Sequence, residues 1–368
     1  MKLVVFGLSL SSSWGNGHAT TYRALLRAFA ARGHEIVFFE WDAPWYGGDN
    51  RDLPDPGFAR LVLYPSWAVI REEAKAAALA ADAAMVGSYV HEGPELIDAL
   101  SEAGVDPLYF YDIDTPVTVA ALRKGDAEYL RPDQVPLFTR YLSFTGGPFL
   151  SQVLEGELGA LRASPLYCSV DPEAYVPSEI DPQFEVDLAY MGTYAADRQP
   201  IVEEFLVEAA RRLPEKRFIV AGPQYPKDLE WPANVRLIPH LPPSRHATFY
   251  SSARWQLNAT RADMVAAGWS PSVRLFEAGA VGAPIISDSW PGIEEIFDAG
   301  KEILLPQTTE DVVRILTETS DAERRAIGQR MRHKILSTHT AEGRAEELEQ
   351  YLLADAGLLL PANADGSG

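Results

Sequence analysis

The sequence predicts an α/β protein built from two doubly wound parallel-sheet domains in tandem. Three observations support this fold class. Apolar strand-like runs alternate with amphipathic helix-like runs along the chain, a proline-rich stretch interrupts the alternation near residue 170, and the alternation then begins again. Repeated βαβ units build parallel sheets with helices on both faces. The 368 residues, 47% of them apolar, suffice for two domains of about 100 to 200 residues each.

The first half opens with a strand and a helix. The apolar run 3–8 is typical of a central parallel strand, and apolar residues then recur at helical spacing from Tyr22 to Phe29, before Gly33. Further strands are predicted at 35–40, 83–87 and 108–111, with helices at about 71–81 and 95–103.

Prolines 172, 177 and 182 cannot continue a helix, and they mark the linker between the domains. The second half predicts strands at 187–191, 217–221, 235–238, 255–258, 284–287 and 302–305, and helices at 201–213, 244–251 and 273–281, before two acidic helices. We therefore expect domains at 1–172 and 173–338 that face a deep cleft. Residues 339–360 are expected to return as a helix toward the first domain, and 361–368 to form a disordered tail.

The charge balance excludes some classes of function. With 52 acidic and 32 basic side chains the formal charge is −20, which repels phosphate backbones and anionic lipids, so a nucleic-acid partner is disfavoured. Cys168 is the single cysteine, which excludes an intramolecular disulfide and a thiolate-rich metal site and fits the cytoplasm. No run reaches the roughly 18 to 20 apolar residues of a membrane span.

A glycine-rich turn separates the first predicted strand from its helix. Glycines let backbone approach a ligand closely, and the first helical amides attract anions. His18 is a candidate general base or phosphate contact, or a residue that only ends the turn. A dinucleotide site would need a small residue where Thr20 stands and the acid Glu40 after the second strand, which leaves a dehydrogenase as a weak alternative. The candidate binding residues here are Gly15, Asn16 and Gly17.

Two carboxylates, Asp112 and Asp114, follow the strand at 108–111. In extended chain they point the same way, and either could take a proton from an acceptor hydroxyl as a catalytic base. Asp114 could instead cap the helix that begins near Pro116, and the pair is a weak magnesium signal.

In the second half, residues suited to a diphosphate follow two predicted strands. Gly192, Thr193 and Arg198 follow the strand at 187–191, and Arg261 follows the strand at 255–258. Either arginine could also be an ordinary surface charge.

The segment 272–286 is more informative. Ser272 can cap a helix whose first amides and Arg274 face a phosphate. Glu277, one and a half turns further, can accept hydrogen bonds from both hydroxyls of a ribose, although a structural role on a solvated face is the alternative.

This segment, with Ser272, Glu277, Gly282 and Pro284, resembles the donor-binding segment of GT-B glycosyltransferases. Residues 168–177 look like the linker of that class, and residues 14–18 and 112–116 are similar to its CgeB-type (spore-maturation-like) branch. The resemblance covers about residues 1–335. It implies two Rossmann-like domains, a nucleotide-sugar donor such as a UDP-sugar in the second and an acceptor in the first. Many retaining relatives carry a second Glu where Trp269 stands, so the stereochemical outcome stays open.

The sequence therefore predicts a hexosyltransferase-like enzyme that moves a sugar from a nucleotide diphosphate to an unidentified hydroxyl-bearing acceptor, without a metal ion or other cofactor. Alternatives on the same scaffold are a sugar-nucleotide epimerase, a phosphorylase, and a nucleotide-sugar binding protein without turnover.

Overall fold

The computed structural model describes residues 1–14 and 17–358, and the chain divides into two compact units. The first unit comprises residues 1–167 together with the chain from 341 onward, and the second comprises residues 168–340. Gly15, Asn16 and the predicted tail at 361–368 lie outside the described residues.

The first unit contains a seven-stranded sheet in the order β3-β2-β1-β4-β5-β6-β7, in which every neighbouring pair is parallel. Its strands are β1 (Lys2–Gly7), β2 (Glu35–Trp41), β3 (Arg60–Tyr64), β4 (Ala83–Gly87), β5 (Leu108–Asp112), β6 (Arg140–Ser143) and β7 (Ala163–Pro165). Its first four helices are α1 (His18–Ala31), α2 (Trp67–Leu79), α3 (Gly93–Glu102) and α4 (Thr115–Lys124).

The strands predicted at the centre of this sheet are confirmed, whereas β3, β6 and β7 were not predicted. β3 and β7 are the edge strands, and β6, which lies between β5 and β7, has only four residues. An edge strand buries less apolar surface than a central one, so it leaves a weaker pattern in the sequence.

The second unit contains a five-stranded parallel sheet in the order β10-β9-β8-β11-β12. Its strands are β8 (Leu188–Met191), β9 (Phe218–Ala221), β10 (Val235–Ile238), β11 (Trp255–Asn258) and β12 (Ile285–Ser287). Its helices are α5 (Gln199–Val202), α6 (Glu208–Arg212), α7 (His246–Ser252), α8 (Ala262–Ala267), α9 (Val273–Ala280), α10 (Ile293–Ile296), α11 (Thr309–Glu318) and α12 (Asp321–Thr338), and a π-helical turn at Glu203–Val207 joins α5 to α6.

One predicted strand of this unit is wrong. Residues 302–305 form isolated bridges, from Leu304 to Ile286 and from Ile303 back to Ala299. The chain folds back on itself here within four residues, which leaves no length for a continuous ladder.

Helix α13 (Ala341–Asp355) belongs to the first unit, where it packs on α1. Glu349 accepts hydrogen bonds from Arg32 and His34 just after α1. The fully buried Asp355 carboxylate accepts from Arg140 and Arg162, each at 2.7 Å.

Within the described residues, no helix is long and apolar enough to cross a membrane.

In each sheet the strand order reverses direction at the first strand, β1 in one and β8 in the other. Open parallel sheets bind ligands outside the carboxyl ends of the strands that flank such a reversal. In the first unit the flanking strands are β1 and β4, and in the second they are β8 and β11.

Candidate functional site

In the first unit, the loop after β1 is held by a buried carboxylate. Glu40, at the end of β2, accepts hydrogen bonds from the Leu10 amide at 2.6 Å and the Ser11 amide at 2.9 Å. It also accepts from the Ser9 hydroxyl at 3.0 Å and the Ser11 hydroxyl at 2.6 Å. Its side chain is fully buried. A dinucleotide site would require this acid to be available to a ribose, so the geometry argues against the dehydrogenase alternative.

An ion pair between Asp52 and Arg23 anchors the same loop from the solvent side. Asp52 forms two hydrogen bonds of 2.8 Å with Arg23 of α1 and accepts from the Ser13 amide and hydroxyl, both at 2.9 Å. These contacts, the Arg23 guanidinium first among them, hold the pKa of Asp52 well below its usual value. The loop that leads into α1 is therefore anchored on both sides.

His18 and Asp114, predicted from separate segments, lie side by side. His18 is the first residue of α1, and its Nε2 lies 3.6 Å from Oδ2 of Asp114, the residue before α4. The imidazole is buried and packs perpendicular to the Tyr89 ring, whereas 43% of the Asp114 side chain is exposed. The distance is too long for a hydrogen bond. A single hydroxyl oxygen placed between the two side chains could contact both.

Asp112 differs from the expectation that it faces the same way as Asp114. It is fully buried, and its Oδ1 accepts from the Thr118 hydroxyl at 2.7 Å and the Asp114 amide at 3.2 Å. Its Oδ2 accepts from the Tyr141 hydroxyl at 2.5 Å. Burial raises the pKa of Asp112 to about 6. Because β5 ends at Asp112, the chain turns between the two carboxylates, and they do not share the common direction that an extended chain would give them.

The glycine-rich turn is described only in part. Gly17 precedes α1 in ordinary right-handed geometry, and a Cβ there would meet no atom of the described residues within 4 Å. Among those residues, nothing around it requires glycine. Gly15 and Asn16 are outside the described residues.

In the second unit, two guanidinium groups bind the chain that leaves β8. Arg274 donates from Nε to the Met191 carbonyl at 2.6 Å and lies 4.9 Å from the Tyr190 ring centroid. Arg198 donates from Nη2 to the Thr193 carbonyl at 2.8 Å. Between these carbonyls is Gly192, where a Cβ would lie 2.9 Å from Nη2 of Arg274. The glycine thus keeps space open beside the guanidinium.

Arg261 completes a group of three arginines. Its Nε lies 3.3 Å from Oδ2 of Asp197, the neighbour of Arg198. Burial, together with the positive charges of Arg274 and Arg261, lowers the pKa of Arg198. The buried Nε of Arg198 has no hydrogen-bond partner within residues 1–14 and 17–358. This arginine group therefore concentrates positive charge that a bound anion would relieve.

The start of α9 is organised by Asn258 at the end of β11. The Ser272 hydroxyl donates to Asn258 Oδ1 at 2.7 Å, and Nη1 of Arg274 donates to the same oxygen at 2.7 Å. Ser272 is the N-cap residue of α9, as predicted, but its hydroxyl is directed to Asn258 and not to the helix amides. The asparagine ties Arg274 to the strand edge.

Glu277 lies on the buried face of α9, with 9% of its surface exposed. Tyr175 donates to its Oε1 at 2.6 Å and Tyr250 donates to its Oε2 at 3.0 Å. Burial, followed by the negative charge of Glu277, raises the pKa of both tyrosines well above the usual value. Both hydroxyls therefore keep their protons and donate hydrogen bonds to the carboxylate. A carboxylate has about four acceptor positions, and the tyrosines use two.

The residues that position Glu277 and Arg274 were not predicted as site residues. Tyr175 lies in the proline-rich linker, and Tyr250 looks like a core aromatic of α7. Asn258 could have been found, since it ends a predicted strand.

Asp288, just after β12, accepts from the Thr260 amide and hydroxyl, and burial raises its pKa to about 6.

No group of three or more His, Cys, Asp or Glu side chains that could hold a metal ion occurs in the described part of the chain. Asp112 and Asp114, the two carboxylates that gave the weak magnesium signal, differ in exposure. Asp112 is enclosed by the protein, whereas the Asp114 side chain is partly exposed to solvent.

Solved structures similar to the whole chain define its fold. Sucrose-phosphate synthase from Thermosynechococcus elongatus matches with a TM-score of 0.66 and 13% identity, covering 97% of this chain and 100% of that one. Anabaena Alr3699/HepE in complex with UDP-glucose matches with a TM-score of 0.67 and 12% identity, covering 96% and 100%. A glycosyltransferase from Rickettsia africae matches with a TM-score of 0.64 and 12% identity, covering 96% and 98%. The chain has the GT-B fold.

The sequence comparisons cover a smaller part of the chain than the structural ones. The profile of a family described as glycosyl transferase-like matches residues 198–350, which include the arginine group, α9 and Glu277. No curated protein matches the chain.

Proposed function

We propose that the protein is a glycosyltransferase that moves a sugar from a nucleotide-diphosphate sugar to a hydroxyl-bearing acceptor. The observation that carries the proposal is the arginine group of Arg198, Arg261 and Arg274 at the strand reversal of the second sheet. Arg261 pairs with the carboxylate of Asp197, whereas the hydrogen bonds of the Arg198 and Arg274 guanidinium groups go to neutral oxygens, the carbonyls of Thr193 and Met191 and the amide of Asn258. A diphosphate supplies the negative charge that this group lacks, and it is the leaving group of the proposed reaction.

Glu277 supports a nucleotide as the carrier of that diphosphate. Its two remaining acceptor positions match the two hydroxyls of a ribose, and α9 carries both Glu277 and Arg274. A match to a glycosyl transferase-like family over this segment, and a neighbour of the same fold solved with UDP-glucose, support the same class of donor.

His18 and Asp114 supply the acceptor chemistry in the proposal. A hydroxyl that contacts His18 Nε2 and Asp114 Oδ2 loses its proton to one of these two side chains as its oxygen attacks the sugar carbon. The bond from that carbon to the diphosphate breaks, and its electron pair leaves on the diphosphate. The arginine group neutralises the departing diphosphate, so the proposed reaction uses no metal ion.

Finer assignments belong to the same proposal. UDP as the nucleotide, a hexose as the sugar and membership of the CgeB-type branch rest on the sequence motifs. A cytoplasmic location rests on the single cysteine.

The test is a thermal-shift screen of UDP, GDP, dTDP and their sugars, followed by a search for products with the sugar that stabilises the protein. A ligand at 100 times its dissociation constant adds about 2.7 kcal/mol to the free energy of unfolding. Release of nucleoside diphosphate with transfer to an added acceptor supports the proposal, and should persist in EDTA.

Other products would point elsewhere. Isomerised donor without acceptor indicates an epimerase, sugar phosphate formed from inorganic phosphate indicates a phosphorylase, and stabilisation without product indicates a binding protein. Absence of any shift in the screen would contradict all four.

A further inference from the structure

A cavity of about 480 Å³ lies in the second unit, at the edge of the sheet opposite to the arginine group. We call it the arginine cavity, because four arginines line it: Arg217, Arg254, Arg324 and Arg325. Apart from Arg324 and Arg325, the lining comes from the segment just before β8 and from residues just before β9, β11 and β12. The four-residue strands β8 and β11 therefore separate it from the donor site by about 10 Å or more, at about 3.3 Å per residue.

The cavity carries excess positive charge in an acidic protein. Arg254 and Arg324 both contact the single carboxylate of Asp321, at 2.5 and 3.5 Å. Burial, and next the charge of Arg254, lowers the pKa of Arg324. Nε of Arg254 also lies 3.9 Å from Asp187, so Arg254, Arg324 and Lys216 share the two carboxylates Asp321 and Asp187.

The acidic residues of the lining do not neutralise this charge. Asp187 contacts both Lys216, at 3.1 Å, and Arg254, at 3.9 Å, so one negative charge serves two cations. Within the described residues, neither the Arg217 nor the Arg325 guanidinium has a hydrogen-bond or ion-pair partner. Glu185, which is exposed, is the remaining lining carboxylate without a paired cation among those residues.

We propose that the arginine cavity binds a small, multiply charged anion of the phosphate class, at a site separate from the donor site. Planar guanidinium groups bind phosphate through paired hydrogen bonds, and Arg217 and Arg325 have all their side-chain donors available. The wall also contains Val186, Val281 and Pro284, so the volume accommodates an organic part next to the phosphate. The strongly negative net charge of −20 restricts such binding to places where arginines outnumber acids locally.

The test is calorimetric titration of the whole protein with inorganic pyrophosphate at constant ionic strength, with chloride as the screening salt. The double variant Arg217→Gln with Arg325→Gln should weaken binding at this site by about ten-fold or more, because it removes charge-assisted hydrogen bonds. Glu185→Gln removes a like charge from the anion's surroundings and should tighten binding by about two- to five-fold.

Two further variants distinguish binding in the arginine cavity from binding at the donor site and from general charge attraction. Arg60→Gln removes an exposed arginine of the first unit and should leave the titration unchanged. Arg198→Gln alters the donor site and should leave the binding at the arginine cavity in place. Since Arg217, Arg325 and Glu185 are exposed, these variants should fold, and their melting temperatures check this.

The proposal is overturned if the double variant binds pyrophosphate like the wild type. It is equally overturned if Arg198→Gln abolishes all binding, because the anion then occupies only the donor site. A loss in the double variant no larger than that in Arg60→Gln would indicate nonspecific charge attraction and would also refute it.

Discussion

Glu277→Gln is the most direct test of the donor site. The substitution keeps the size of the side chain and one carbonyl acceptor, but it removes the negative charge and replaces the other oxygen with an amide donor. Tyr175 and Tyr250 can each satisfy either group, because a tyrosine hydroxyl both donates and accepts. The fold should therefore persist, which an alanine would not ensure, since it would leave two buried hydroxyls without a partner.

The magnitude follows from the acceptor positions that remain. The tyrosines occupy one position on each Glu277 oxygen, at 2.6 and 3.0 Å, which leaves one position per oxygen for a ribose hydroxyl. Gln retains one of these two. The loss is then about one hydrogen bond to a charged group, or 1.5 to 3 kcal/mol, and UDP should bind roughly 10 to 150 times more weakly.

Calorimetry with UDP on wild type and variant measures this effect directly. Tyr250→Phe is the matched control, because it removes a neighbour of the carboxylate and leaves its charge, so UDP affinity should change by less than about three-fold while stability falls. Equal affinity for UDP in wild type and a folded Glu277→Gln protein would refute the ribose assignment. A loss of similar size in both variants would show that packing, and not charge, determines binding.

Three other predictions concern the first unit. His18→Asn and Asp114→Asn should each lower turnover by a factor of about 10² to 10⁴ in steady-state kinetics, with little change in UDP affinity. Unchanged turnover in both variants would show that neither residue takes part in the reaction. The folded-state pKa of Asp112 is raised from 3.8 to about 6, so its contribution to stability is complete below pH 4 and is lost as the pH rises through 6. Asp112→Asn should therefore gain about 2 kcal/mol relative to wild type between pH 4 and 7 in urea unfolding, and a pH-independent difference would contradict the shift. Glu40→Gln removes the negative charge that accepts from the buried Leu10 and Ser11 amides and replaces one of the two acceptor oxygens with an amide donor. It should cost about 1 to 3 kcal/mol in the same assay, whereas an unchanged midpoint would mean that the loop does not depend on the carboxylate.

The candidate site was predictable where its residues follow strands. Arg198 and Arg261 were identified because parallel strands bring their carboxyl ends to one edge, and the periodicity of the sequence locates those ends. Glu277 was identified from its place in the helix that Ser272 begins. Position after a strand did not distinguish Asp112 from Asp114. Both follow β5, but whether a carboxylate is enclosed depends on the turn at Ile113 and on Tyr141, which is 29 residues away.

The sequence by itself determined the α/β class, the two successive sheets and most of the central strands, because apolar periodicity and prolines are local signals. Only the tertiary structure decided which polar groups meet. Tyr175 reaches Glu277 across 102 residues of chain, His18 approaches Asp114 across 96, and Glu40 holds a loop about 30 residues before it. No local pattern encodes these pairs, since each depends on strand order and on how far each side chain extends from the sheet edge.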